Sequence, residues 1–311
     1  MPNATTSARG RRARREYGSR VSGRPNFDLQ SHSRCSDGSL APAQVVAAAA
    51  DAGVELLALT DHDTVDGVAE AVEAGRARGV RVATGVEISA VRGPDLDVHV
   101  LGYAFDPGDR ALADALGRFR AERELRNDRM LDRLRELGLE VDLAEVAARR
   151  EAGQPVGRPH LAHAVLAAPR NRERLAAEGA DTVDGMFRAY LADGGPAWVA
   201  REGPSVAEAV EAIHIAGGVA VWAHPFFDVS SPEEVRAEID RFRADGLDGV
   251  ECFYVTHTRA QVDVLCDHCE RQGLLRTGSA DFHGHDRPAF SRFRAFELYG
   301  REPELGPIGT T

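Results

Sequence analysis

The chain has no lysine: all 38 of its basic residues are arginine. A Schiff-base lysine and a P-loop lysine are therefore excluded, and any phosphate must be met by arginine, backbone amides or metal. No apolar run approaches the length of a membrane span, and the N-terminal region lacks the apolar segment of a secretory signal. Cysteine is scarce, with Cys35, Cys252, Cys266 and Cys269 only, which together with the missing signal points to a reducing cytoplasm. Cys266 and Cys269 form a CxxC around His268, but no second pair stands nearby to complete a zinc finger. Their segment, "TRAQVDVLCDHCERQG", has the apolar spacing of a helix, in which cysteine is a small core residue.

Charge is divided between two parts of the chain. Residues 1–26 hold seven arginines against Glu16, about +6 in formal charge, so the total of −11 leaves about −17 for the remainder. The basic stretch reads as a disordered leader. The acidic body argues against broad binding of duplex DNA, which relies on a basic surface to neutralise phosphates. With 311 residues and 43% hydrophobic content, the chain suits one large domain or a domain with an insert.

Against these absences stands a concentration of metal-type ligands from Asp28 to Asp63, "DLQSHSRCSDGSLAPAQVVAAAADAGVELLALTDHD". His32 follows a short apolar run, Asp37 lies in a Ser/Asp/Gly turn, and His62 ends the strand-like "VELLALTDHD". A single loop histidine is usually unremarkable. Imidazoles and carboxylates that recur at successive strand ends suit a divalent cation, because a buried carboxylate needs a compensating charge.

Periodicity predicts strands near 26–30, 54–60, 80–84, 97–104, 219–223, 248–254 and 273–278. Helical patterns cover 41–53, 64–78, 205–217, 231–245 and 257–272. The alternation implies a mainly parallel α/β structure, either a barrel or an open doubly wound sheet. From 109 to 200 the alternation stops and the chain is helical, charged and rich in Ala and Leu. This predicts a helical insertion between two barrel segments, 27–108 and 201–311. Its Arg/Glu pairs read as a solvated face worth a few tenths of a kcal/mol each. In "GRPHLAHAVL", Arg158, Pro159 and His160 stand at a predicted helix start, where exposed amides favour an anion. The alternatives there are a surface ion pair for Arg158 and packed helix residues for His160 and His163. His214, at helical spacing in "AVEAIHIAGG", is expected to be structural.

Six motifs in order give the chain a family likeness: "DLQSHSRCSDG", "TDHD" (Thr60 to Asp63), "GVEIS" (Gly85 to Ser89), His99 in "HVLGY", "AHP" (Ala223 to Pro225) and "GSADFHG" (Gly278 to Gly284). This series resembles the polymerase and histidinol phosphatase (PHP) superfamily of metal-dependent phosphoesterases over nearly all of the chain after residue 26. One element departs, since Gln30 stands where the family carries a histidine. The resemblance implies a distorted (β/α)7 barrel with the helical insert as a cap. It also implies two or three divalent ions (manganese, iron or zinc, with magnesium allowed). One would lie among Gln30, His32, Glu87 and Asp281, a second among Glu87, His99 and His224, and a third among Asp37, His62 and His283. Metal-bound hydroxide would attack phosphorus without a protein nucleophile. The "GRPH" segment resembles the nucleotide-cleaving branch, in which the Arg and His hold a substrate phosphate. That reading is extended to His257 in "FYVTHT". The implied activity is a phosphomonoesterase on a 3′,5′-nucleoside bisphosphate or AMP. Alternatives are a 5′→3′ exonuclease on short RNA, a histidinol phosphatase or an inactive metal-binding module. No membrane or duplex DNA partner is expected.

Overall fold

Short apolar segments ended by Gly, Asp or Pro become strands, and longer ones with 3.6-residue spacing become helices. A computed structural model describes residues 25–310 except Pro94, Asp95, Gly153, Pro155, Asp193 and Arg201. The basic leader thus falls almost wholly outside the described residues. The chain begins with β1 (Phe27–Asp28), α1 (Pro42–Asp51), β2 (Leu56–Ala58), α2 (Val68–Arg78) and β3 (Arg81–Ala83). Two longer strands follow, β4 (Gly85–Arg92) and β5 (Leu96–Tyr103). Helices α3 (Arg110–Glu136), α4 (Ala144–Glu151), α5 (Arg158–Leu166), α6 (Arg172–Ala177) and α7 (Val183–Met186) come next. The chain returns to alternation with α8 (Val206–Ile215), β6 (Val219–Trp222), α9 (Pro225–Asp228), α10 (Pro232–Ala244), β7 (Gly249–Tyr254), α11 (Arg259–Gln272) and β8 (Leu275–Ser279).

The helix starts are chemically marked. Ser205 accepts from the Glu208 amide while Glu208 reaches back to the Ser205 amide at 2.8 Å, and Thr258 with Gln261 repeats the arrangement. Such reciprocal caps satisfy amides that have no intrahelical partner.

Strands β1–β2–β3 form one parallel sheet, and β4 to β8 form a second in sequence order. Here the structure corrects the expected alternation. Strand β4 was not foreseen as a separate element, and it pairs with β5 as an antiparallel hairpin from Gly85↔Tyr103 to Arg92↔Leu96. Strand β5 is also antiparallel to β6, and only β6–β7–β8 are parallel. The physical reason is local: no crossover helix separates β4 from β5, and Gly93, with φ +67°, turns the chain back at once. Further backbone contacts join the two sheets. The Leu29 amide donates to the Gly278 carbonyl, and bridges join Ser31 to Phe282 and His62 to Glu87.

Three apolar clusters hold this framework. The largest packs β4–β8 against α8, α10 and α11, with Trp222 and Phe242 in edge contact at 5.0 Å. A smaller one lies between β2, α1 and α2, and a third is confined to residues 130–199. Helix α3 belongs to two of them: Leu112, Ala115, Leu116 and Phe119 join the sheet cluster, and Met130, Leu131 and Leu134 the helical one. Leu134→Ala should therefore lower stability by about 2–5 kcal/mol through the cavity it leaves, whereas Leu125→Ala, half-exposed on the same helix, should stay within about 0.5 kcal/mol. Urea denaturation of the two variants checks the contrast.

Candidate metal centre

The loop after β1 is shaped by a residue that lies far from it in sequence. Asp61 is buried, and its carboxylate accepts from the Ser33 amide at 2.7 Å, the Ser33 hydroxyl at 2.7 Å and the Ser36 hydroxyl at 2.6 Å. Three bonds to one carboxylate fix the turn that carries both His32 and Asp37. The turn is tight enough that a Cβ on Gly38 would sit 2.2 Å from the His32 carbonyl oxygen, so only glycine fits.

Around this loop the ligand-type side chains converge on Glu87. Oε1 of Glu87 lies 2.7 Å from His99 Nδ1 and 3.4 Å from His224 Nε2. Its Oε2 lies 3.0 Å from His32 Nε2 and 3.6 Å from His62 Nδ1. His32 Nε2 is also 3.2 Å from Asp281 Oδ1, and His283 joins through Asp37 at 3.5 Å and Asp281 at 3.6 Å. The rings stack in sequence, His283 on His32 at 4.2 Å and His32 beside His62 at 4.8 Å. These groups line a cavity of about 160 Å³ together with Phe227, Tyr254 and Phe290.

Strand ends aim these groups, and two do so at a conformational cost. His224 (φ +32°) and Asp281 (φ +53°) adopt the left-handed region, which non-glycine residues avoid unless their surroundings impose it. Glu251 imposes it at His224 by accepting that residue's amide at 2.9 Å, while Ser279 donates to the other Glu251 oxygen at 2.6 Å. Tyr254 donates to Asp281 Oδ2 at 2.8 Å. Gln30, expected among the ligands, is fully buried with its Oε1 3.3 Å from the Ser279 hydroxyl.

This arrangement has known counterparts. Residues 28–173 match the PHP domain model. Over 266 residues the chain is 35% identical to a 3′,5′-nucleoside bisphosphate phosphatase of Chromobacterium violaceum, covering 83% of this chain and 87% of that one. The chain belongs to the PHP family. Its enzyme class is that of the metal-dependent phosphoester hydrolases. It is also 34% identical over 258 residues to a 5′-3′ exoribonuclease of Haemophilus influenzae, covering 83% of this chain and 89% of the relative. A crystal structure from Bifidobacterium adolescentis, assigned to the metal-dependent phosphoesterases, superimposes with a TM-score of 0.73 at 29% identity, over 91% of this chain and 93% of its own.

The PHP centre suits a cation. His32 Nε2, His62 Nδ1, Glu87 Oε2 and Asp281 Oδ1 are buried and lie near one another, yet none has a hydrogen-bond partner in good alignment. Converging buried lone pairs of this kind are what an ion satisfies. Three sets among the described residues have the required closeness: His32, His62 and Glu87; His32, Asp281 and His283; and Glu87, His99 and His224. His62 thus groups with Glu87, and Asp37 stands apart from these three sets.

Protonation follows the same crowding. Burial alone would raise the pKa of Glu87 and Asp37, but the surrounding histidines hold both well below the usual carboxylate range. Burial works against charge on His32, yet the Asp281 and Glu87 carboxylates beside it lift its pKa well above the ordinary value. His62 goes the other way, because burial outweighs Glu87 and Asp37 and lowers it to about 3. His62 and the two carboxylates are thus in the states a metal requires, whereas His32 has a proton to release as an ion binds.

The residues assigned to substrate are spread more widely. Arg158 lies 3.5 Å from Asp97 and 4.9 Å over the Phe187 ring, away from the cavity lining. His160 accepts the Gly157 amide at 2.9 Å, and burial followed by Arg149 lowers its pKa to about 4. His257 lies behind Tyr254, buried, with Nδ1 donating to the Cys252 carbonyl at 3.1 Å. His214, expected to be structural, pairs with Asp248 at 2.8 Å. The CxxC cysteines are buried on α11, with Cys269 3.8 Å from Cys252.

Sequence reasoning counted only His62 in "TDHD" and missed Asp61. The available signal was the cluster of hydroxyls in "SHSRCSDGS", which needs an acceptor somewhere. Asp61→Ala should cost about 2–4 kcal/mol, since hydrogen bonds to a charged acceptor are worth about 1.5–3 kcal/mol each and part of that is recovered by water. Retained metal should fall as well. Thermal unfolding and elemental analysis of the purified variant measure the two effects.

Proposed function

We propose that the protein removes a phosphate monoester from a nucleotide, with a 3′,5′-nucleoside bisphosphate or AMP as substrate. The observation that carries this reading is the cavity itself, in which seven histidine and carboxylate side chains line a space of about 160 Å³ without a serine, threonine or cysteine. The lining offers nitrogen and oxygen donors in place of an alcohol or thiol nucleophile, and that donor set suits manganese, iron or zinc. Two or three such ions would supply an activated water and offset the charge on phosphorus. The residues of the chain do the rest. Glu87 and the four histidines around it set where the ions lie, with Tyr254 fixing Asp281 and Glu251 fixing His224. Gln30 is fully buried with its Oε1 3.3 Å from the Ser279 hydroxyl, and in this reading it supports the ion of His32, Glu87 and Asp281 from outside the direct ligands.

The cavity is smaller than the several hundred Å³ of pockets that enclose whole ligands, so it admits the phosphoryl group and leaves the nucleoside outside. Two features there favour a nucleotide. Phe227, at the cavity edge and 70% exposed, offers a ring face to a base. Arg149 and Arg287 donate to the Ser36 and Asp37 carbonyls beside His160, giving a cationic border for a second phosphate. In this reading residues 109–200 form a cap over a distorted (β/α)7 barrel, and Arg158 supports the cap side of the substrate from its place on Asp97. Short RNA is the second reading, favoured by the similarity to the Haemophilus exoribonuclease.

The test is a panel of 3′,5′-bisphosphoadenosine, AMP, histidinol phosphate and a 5′-phosphorylated short RNA offered to the manganese-loaded protein, with phosphate and nucleotide release followed. Release of phosphate from the first two is expected, and its loss in Glu87→Ala together with bound metal. Turnover of histidinol phosphate alone would remove the nucleotide assignment. Phe227→Ala should lower kcat/KM for AMP by about 1–3 kcal/mol, the usual worth of a stacked base, and leave ribose 5-phosphate unchanged. Equal losses on both substrates would show that the ring does not meet the base.

A further inference from the structure

Asp63, the residue after His62, is fully buried and adopts φ +52°. Its polar groups reach the strand of Glu87 and the helical region. Its amide donates to the Glu87 carbonyl at 2.9 Å, and its Oδ1 accepts the Ser89 amide at 2.9 Å. Its Oδ2 lies 3.1 Å from Arg123 Nη1, and its carbonyl accepts from Arg120 Nη1 at 2.8 Å. Arg123 Nη2 donates to the Ser89 hydroxyl as well. Arg120 and Arg123 are three residues apart on α3, hence on one face of that helix.

We propose that Arg123 is a positioning residue for the metal centre: acting through Asp63, it holds the His62 turn against the strand of Glu87 and so couples the seating of α3 to the shape of the site. The proposal rests on reading the histidine and carboxylate cluster as the reaction centre. A buried carboxylate needs a compensating charge, and here Arg123 of the helical region supplies one. The left-handed turn at Asp63 persists only while its surroundings determine it. Both requirements meet at Arg123. Loss of its guanidinium removes a positive charge from a carboxylate one residue from His62, in a residue whose amide bonds the Glu87 carbonyl directly, so the turn relaxes and the ligands lose their spacing. An ion pair that merely packed α3 onto the sheet would change stability and leave turnover per folded molecule alone.

The experiment uses the full chain with Arg123→Gln, Arg123→Lys and the neutral pair Asp63→Asn/Arg123→Gln. Two quantities are measured: amide hydrogen exchange at Asp63 and Ser89 in metal-free protein, and kcat and KM for AMP at saturating manganese. In Arg123→Gln, exchange at those two amides should accelerate about tenfold while the amides of α11 keep their protection. Its kcat should fall about tenfold, the usual cost of losing a partner that orients ligands, with KM little changed. Arg123→Lys should keep kcat within about threefold of the wild type by preserving the charge. If Arg123→Gln does not fold, the neutral pair, which strands no charge, takes its place and should still show reduced kcat. Unchanged exchange at Asp63 and Ser89, or wild-type kcat in a folded variant without the guanidinium, overturns the proposal. A wild type that turns over no phosphate ester would instead remove the phosphatase reading, and the exchange data alone would then decide the role of Arg123.

Discussion

One buried carboxylate sets the terms for the rest of the molecule. Glu87 is almost inaccessible, and four histidines from four separate segments stand within 3.6 Å of its two oxygens. Such a group is tolerable only if its charge is answered at once, by protonated imidazole in the metal-free protein and by cations in the loaded one. The strand ends, the loop of His32 and the turn at His62 all have to arrive at the same place for that to happen. This is why the surrounding backbone is over-determined, with Asp61 holding the first loop by three bonds and Glu251 holding His224 in a left-handed conformation.

The hairpin of β4 and β5 is the structural means of bringing the carboxylate and one of its histidines together. In that register Ser89 faces His99 and Glu87 faces Leu101, so Glu87 and His99 are diagonal neighbours on the paired strands. Diagonal positions are close enough for long side chains to meet, and these two do so at 2.7 Å. A parallel unit at this point would have needed a crossover helix and a dozen more residues. The same hairpin carries Ser89 to Asp63 and Asp97 to Arg126 and Arg158, so both of its strands receive arginines from the helical region.

Electrostatics gives the helical region its second function. Its arginines are largely committed: Arg123 to Asp63, Arg126 and Arg158 to Asp97, Arg150 to Glu124 and Asp128. The exposed pairs contribute little to stability. Those that reach buried carboxylates near the cavity matter more, because removing one partner leaves a charge in a medium that cannot solvate it. Below the cavity the same physics acts without arginine, as burial pushes the Glu251 carboxyl up to about 8 against the opposing pull of His224 and Ser279.

How much of this was legible in the sequence depends on the range of the interaction. The motifs and their order were enough for the family, and strand ends rich in His and Asp were enough for the kind of ligand, because residue type and local period carry both. The helical periods over 205–217 and 257–272 were readable for the same reason, and they are α8 and α11. The antiparallel turn at Gly93 was not, since a strand's direction is settled by its pairing and not by its own residues. Nor was the role of Asp61 and Asp63, whose partners lie 25 to 60 positions away in Ser33, Ser36, Ser89 and Arg123. Gln30 shows the limit most clearly: its place in the motif was legible, but only the packed structure brought it within 3.3 Å of the Ser279 hydroxyl. Sequence by itself determined which chemical groups this protein possesses and in what order. Tertiary structure alone decided which of them share a charge, because that is a matter of distances between segments that the chain's local preferences do not encode.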